Sequence, residues 1–447
     1  MTLVAVGCGR LEATSPAAPP AQAGRIADLR APAQEPSERE DAGEVFAQCL
    51  DPSAAVTPLP AGDAAAQVAE ITQRVEAMRG LALPDDAASP EFVSQAEMGR
   101  RITAEVDTAY EPEEADTYRR IYAGLGALPP DIDLRQVLTA LLASGTVGFY
   151  ETETNELVVA TADPSAPLTP LAQTALAHEL THAVTDAALG IPDDLIQHGP
   201  ADASLAALSL VEGDAVLTQE RFASTALTWE DQLAILDDPV VGQAQRQLDS
   251  VPYVLAAGLA FPYAAGPAFV CQLFQDGGYP AVDAAYRDLP TTTAQILFPE
   301  RYAAREGAVD PRDPGALGAP WQPRPTETLG AADLLWLFEA PGDDRAAALR
   351  DPFGSAADWA GGEAHLWTDG PRSAMGIALA DRGVGELCDA VADWYDAAFP
   401  ADTAVDTQVG EVLARDGITQ AAVLRCGGPE VRLGIAPDLA TARALAA

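Results

Sequence analysis

The sequence predicts an α+β protein, mainly helical, with a small β-sheet before one long central helix and further strands and helices toward the C terminus. Three observations predict it. Apolar residues recur at helical spacing over much of the first half of the chain. That period breaks at residues 146–161 into β-prone runs around a polar turn, and strand-like segments return only late, in GEAHLW and SAMGIALA. With 447 residues, 48% of them hydrophobic and 6% aromatic, the chain has the composition and size of a folded protein of one large or two to three ordinary domains.

The N terminus reads as an attachment to that fold. Residues 1–8 resemble the end of a bacterial lipoprotein leader: a short apolar run, small residues at Val6 and Gly7, then Cys8 as the residue that takes the lipid. The leader is partial, because the run is about half the usual 7 to 15 residues and no basic residue precedes it. Residues 9–42 are rich in Ala, Pro, Gly and Glu, which cannot bury a core and predict a disordered tether. No long apolar run follows. Membrane association is therefore expected only through a lipid on Cys8, on an extracytoplasmic protein. Cys49, Cys271, Cys388 and Cys426 permit two disulfides in three pairings. Cys388 with Cys426, and Cys49 with Cys271, is the preferred set, although Cys271 in the apolar run AFVCQLF would equally serve as a buried thiol.

Residues 43–160 are expected to form an N-terminal helical lobe ending in a hairpin. In DAAAQVAEITQRVEAMRGL, Val68, Ile71, Val75 and Met78 share a face and Gly80 closes the helix. Two more helical patterns run through ADTYRRIYAGLGAL and DLRQVLTALLAS. The hairpin is TVGFYETETNELVVAT, in which GFY and LVVAT flank the polar ETETNE.

Residues 161–305 are expected to be the core that carries the chemistry. TPLAQTALAHELTHAVTDAALG, residues 169–190, is bounded as one helix, with Thr169 as N-cap, Pro170 at the first helical position and Gly190 at the C-cap. Within it, His178, Glu179 and His182 form HExxH. Two imidazoles four residues apart share a face and can reach one zinc ion. Glu179 sits about 100° round the helix, beside the metal, where its carboxylate can take a proton from water that the metal has made more acidic. The chain has only four histidines, so chance placement gives this motif with a probability on the order of a few in a thousand.

Zn²⁺ needs a third ligand. The next helix, ASLAALSLVEGDAVLTQERF, carries Glu212 in line with Leu205, Leu208 and Ala215, on a stripe that should be buried. A buried carboxylate is costly unless a cation meets it, which points to Glu212 as the ligand. Gly213 is expected to let this helix approach the HExxH helix closely. Asp214 and Asp186 are candidates to hold a ligand imidazole from behind. Asp202 is a rival ligand, but it and Ser204 read better as N-capping residues. Residues 306–447 are expected to form a C-terminal lobe and tail, with a helix near ADLLWLF and an amphipathic helix in VGELCDAVADWYDAAF.

The string HELTHAVTD resembles the active-site helix of the thermolysin-like metallopeptidases, the gluzincins. The match covers only that helix: the ExxxD motif of thermolysin falls here on Asp202 and Ala206, so the pairing with Glu212 in LVEGDA resembles a different gluzincin branch. A wider resemblance, over about residues 60–400, is to a family of exported or lipid-anchored HExxH proteins. It rests on GFYETETNEL, SLVEGDA, FPYAAGPAFV, PTTTAQILFPERY and WAGGEAHLW. It implies a gluzincin-like fold and peptide-bond hydrolysis. One departure is Ala294 and Phe298, where that family often has TEQILHPE, so an acid and a histidine are missing.

A peptide hydrolase also needs a donor for the oxyanion. Tyr150 and His198 are candidates, with Tyr263, Tyr302 and His365 beside them. Tyr150 lies on a strand leading into the zinc helix, where a strand can line a cleft and pair with an extended peptide. The expected function is thus zinc-dependent hydrolysis of a peptide or protein substrate, with Glu179 as base. The alternative is a non-catalytic surface lipoprotein that keeps the fold and binds other molecules. The formal charge of −41 repels phosphate backbones and excludes nucleic acid as a partner. Serine hydrolysis and phosphoryl transfer lack their motifs.

Overall fold

The computed structural model describes residues 2–5 and 42–447, except residues 52, 61, 85, 86, 88, 162, 164, 165 and 384. It is an α+β structure, 54% helical, with two sheets, as the sequence predicts. Of the expected leader, residues 2–5 form a strand, β1 (Thr2–Ala5). Cys8 and the expected tether up to residue 41 lie outside the described residues.

The N-terminal part runs α1 (Ala42–Ala47), α2 (Ala64–Arg79), β2 (Glu91–Val93), α3 (Gln95–Ala109), α4 (Pro112–Gly124) and α5 (Leu134–Gly145). The expected stop of α2 is present: Gly80 adopts φ 73°, and Asp63 caps the other end by accepting from Ala66 N. The expected hairpin is β3 (Thr146–Glu151) with β4 (Glu156–Ala160), antiparallel, with Asn155 at φ 57° in its turn. These strands form a four-stranded sheet in the order β1-β3-β4-β2, with β2 parallel to β4.

The central helices follow. They are α6 (Pro170–Leu189), α7 (Asp193–His198), α8 (Ala201–Ala226), α9 (Trp229–Leu236), α10 (Pro239–Leu248), α11 (Tyr253–Ala264), α12 (Gly266–Gly277), α13 (Tyr279–Ala285), α14 (Thr293–Leu297) and α15 (Pro299–Ala303). The HExxH helix α6 begins and ends where its caps place it, with Thr169 accepting from Ala172 N. Every residue of α6 from Ala172 to Thr185 is buried, which a helix surrounded by protein requires.

The rest comprises β5 (Gln322–Pro323), β6 (Glu327–Thr328), α16 (Ala331–Glu339), α17 (Pro352–Ala357), β7 (Trp359–Asp369), β8 (Arg372–Asp381), α18 (Glu386–Ala398), β9 (Thr403–Ala404), β10 (Glu411–Asp416), β11 (Ala421–Gly427), β12 (Glu430–Ala436) and α19 (Leu439–Leu445). Its eight-stranded sheet is ordered β5-β7-β8-β12-β11-β10-β9, with β6 also on β7. The preferred disulfides both form, Cys49 with Cys271 and Cys388 with Cys426. The thiol alternative for Cys271 is thereby removed.

Two apolar cores organise these elements. One joins α2, α3, β3, β4 and α6. The other joins α4, α11 to α16, α18 and the large sheet. Helix α8 belongs to both, giving Leu210, Val211 and Leu217 to the second and Phe222 and Ala226 to the first. It spans the seam.

Two sequence expectations need correction here. Asp202 and Ser204 do not cap α8, because its N-cap is Pro200 and has no side-chain cap bond. Ser204 Oγ donates to Leu195 O, and the Asp202 carboxylate accepts from Thr293 N at 3.0 Å and from Thr293 Oγ1, in the second core. Gly330 presses against that carboxylate so closely that a Cβ would lie 1.8 Å from Oδ1. Burial raises the Asp202 carboxyl to about 7, against the lowering effect of the Thr293 hydrogen bonds. The folded state thus holds this proton more tightly than the unfolded chain. The contribution to stability is full below the ordinary carboxylate range and lost as pH rises through about 7. Asp202→Asn, which keeps an acceptor for Thr293 but never ionises, should remove up to about 4 kcal/mol of the stability decline between pH 4 and 7. Denaturant unfolding of both proteins across that range measures it; parallel pH profiles would refute the assignment.

Candidate functional site

HExxH spacing turns His178 and His182 to one face of α6, and α8 brings Glu212 opposite them. His178 Nε2 lies 3.0 Å and His182 Nε2 3.5 Å from Glu212 Oε2, and the two rings stand edge to face, 4.7 Å apart. The structure therefore brings together all three predicted ligands, as one of two His/Asp/Glu groups of this kind among the described residues. The other, Asp313, Glu363 and His365, lies on β7 and the loop beside it, and is more exposed.

Glu179 is 0% exposed, and neither of its carboxylate oxygens has a hydrogen-bond partner among the described residues. β3 passes close by it: a Cβ on Gly148 would lie 2.6 Å from Glu179 Oε1, so a larger residue there would displace the carboxylate. Burial, with the charge of Glu212 second, lifts the Glu179 carboxyl well above the usual carboxylate range. Burial would lift Glu212 as well, but His182 and His178 outweigh it and hold that carboxyl down at about 2. The His178 imidazole is shifted down, first by burial.

The donor set fits a zinc ion. Glu212 Oε1 and His182 Nε2 are buried without hydrogen-bond partners, and a buried polar atom left so is costly. His178 Nδ1 lies 2.9 Å from Gln219 Oε1. If Nδ1 donates there, the Nε2 lone pair faces a carboxylate oxygen, an arrangement that needs a proton or a cation between them. Two imidazole nitrogens and one carboxylate are a zinc donor set with a position left open.

Gln219 is the residue that sequence reasoning missed. It lies seven residues after Glu212, two helical turns along the same face, so helical spacing from the ligand was the available signal. The two acids expected behind the imidazoles act elsewhere. Asp186 accepts from Ile191 N and lies 3.0 Å from the Tyr150 hydroxyl, fastening the end of α6 to β3. Asp214 faces the buried Arg79, whose Nε is 3.0 Å away, and accepts from the Tyr286 hydroxyl. Arg79 reaches Asp283 at 2.6 Å and stacks over Tyr279, so this network ties α2 and α13 to α8. Gly213 turns toward α12 rather than α6. A Cβ there would be 2.4 Å from Gly266 O, and one on Gly266 would be 2.2 Å from Ser209 O.

The expected oxyanion donors separate. Tyr263 borders the metal ligands, its ring centroid 6.5 Å from that of His178. The Tyr150 hydroxyl is held between Asn155 and Asp186, and the Tyr302 hydroxyl donates to Asp288 O. His198 is exposed at the end of α7, and His365 pairs with Glu363 in the large sheet. Phe298 packs on Phe353 and under Arg301, and Ala294 is buried in the second core.

Comparison of the chain with protein-family models, with curated proteins and with solved structures finds no match. The geometry makes its own prediction. Protein purified without chelators should carry about one zinc per chain by elemental analysis, and Glu212→Ala clearly less. Gln219→Leu, which leaves His178 Nδ1 without an acceptor, should weaken zinc binding about 10- to 100-fold in a chelator competition.

Proposed function

We propose that the protein is a zinc-dependent peptidase of gluzincin type, acting outside the cytoplasm on a peptide or protein substrate. The observation that carries this reading is Glu179. A site built only to bind metal has no use for a fourth buried group beside the ligands, yet this carboxylate is fully buried and packed against Gly148 of β3.

His178, His182 and Glu212 would hold the zinc. Bound there, it would supply Lewis acidity toward the scissile carbonyl and toward water. The chain's own residues do the rest. Glu179, held dry and without a partner, takes the proton of the attacking water at its carboxylate and returns it to the leaving amine. Gln219 fixes the His178 ring by its Nδ1 edge. Tyr263, whose ring centroid lies 6.5 Å from that of His178, is the proposed donor to the developing oxyanion. The two disulfides support an oxidising compartment. Anchoring through a lipid on Cys8 belongs to the same proposal.

A second reading, a surface lipoprotein that binds without turnover, draws on one observation. His178, Glu179, His182 and Glu212 are at most 1% exposed, so a substrate reaches them only after some opening. The two readings agree on zinc and part at Glu179. Glu179→Gln should keep zinc and lower peptide hydrolysis by about 10²- to 10⁴-fold. An unchanged rate would sink the assigned mechanism. Gly148→Val, which drives a side chain into Glu179, should likewise retain zinc and lose turnover, read by the same two measurements.

A further inference from the structure

Glu220, next to Gln219 on α8, has no place in the chemistry above. Eight residues beyond Glu212, it is rotated about 80° from that ligand and lies about 12 Å farther along the helix axis. Between them on the same side are Val216 and Gln219, both part-buried, whereas Glu212 is closed off. Tyr263, the aromatic neighbour of His178, is also part-buried. This side of α8 is therefore one place where the surroundings of the ligands approach solvent.

Glu220 is a carboxylate short of a partner. Its one hydrogen bond among the described residues comes from Gln219 Nε2, at 3.3 Å, and no cation is among the groups that act on it. The next residue, Arg221, turns the other way, stacking over Phe274 and Tyr279. Burial raises the Glu220 carboxyl to about 7, a cost that a cation arriving beside it would relieve. Asp214 and Asp283 share Arg79, and Glu411 takes Arg425 and Arg443, whereas no ion pair among the described residues involves Glu220.

We infer that Glu220 is a substrate-recognition residue, whose free carboxylate oxygen binds the arginine or lysine side chain of a peptide lying across the HExxH site. The inference rests on the peptidase reading and names its substrate class. At about 3.3 Å per residue, an extended peptide covers the 12 Å from the ligands to Glu220 in three to four residues. A long basic side chain reaches it from a residue nearer the scissile bond. The charge of the partner follows from the acid, and the wide acidic field of the protein steers such peptides toward it.

The test is calorimetric binding to the full-length, zinc-loaded Glu179→Gln protein at physiological salt. The probes are N-acetylated, alanine-rich nonapeptides carrying one arginine, or the neutral isostere citrulline, at each position in turn. Acetylation removes the α-amine, so only the side chain brings a cation. Arginine should bind about tenfold more tightly than citrulline at one or two adjacent positions. In the Glu179→Gln, Glu220→Gln double variant that ratio should fall to about one, while zinc per chain stays unchanged. Equal affinity for arginine and citrulline at every position, or a preference that survives Glu220→Gln, would overturn the role of Glu220 and leave the peptidase reading standing. Protein without zinc, or one that binds neither peptide series, would overturn the peptidase reading and this inference with it.

Discussion

Glu212 is a fully buried carboxylate, and the rest of the site is arranged to answer its charge. Two imidazoles face one of its oxygens and hold its carboxyl down at about 2, while the other oxygen has no hydrogen-bond partner. Glu179, in the same buried interior, moves in the opposite direction, lifted first by burial and second by the charge of Glu212. Two buried carboxylates are thus pushed apart, one down by the imidazoles beside it and the other up by burial.

The cluster lies where two cores meet. Helix α6 is sealed in the first core, α8 passes from the second core into the first, and Glu212 lies where they touch. The crossing of α8 with α12 sets the depth. Gly213 and Gly266 stand backbone against backbone, and neither tolerates a Cβ. Any side chain there would push apart the helices beside the ligand, so the residue following Glu212 is constrained by packing rather than by chemistry.

The charge behind the ligands is managed separately. Asp214 follows Glu212 by two residues and is equally buried, yet it belongs to Arg79, Tyr286 and a contact between α2, α8 and α13. Removing either member of such a buried pair strands the other, at a cost of about 3 to 5 kcal/mol. Its presence leaves Glu212 as the acid whose charge is available to a cation. Glu220, farther along the same helix and part-buried, differs again: among the described residues its one hydrogen bond comes from Gln219.

What the sequence determined by itself was whatever is encoded within a few residues. The caps Thr169, Pro170 and Gly190 bounded α6, four-residue spacing put His178 and His182 on one face, and the change of period at residue 146 marked the hairpin. Glu212 was legible because an acid on an apolar stripe is an anomaly within one helix. The tertiary structure decided everything that depends on what an element packs against. Asp186, Asp202, Asp214 and Gly213 had plausible roles in their own helices, and each was claimed by a neighbour from elsewhere in the chain: Tyr150, Thr293, Arg79 and Gly266. The physical reason is one of range. Helical period and capping act over one or two turns, whereas a buried polar group takes whichever partner the packing of distant elements brings within about 3 Å.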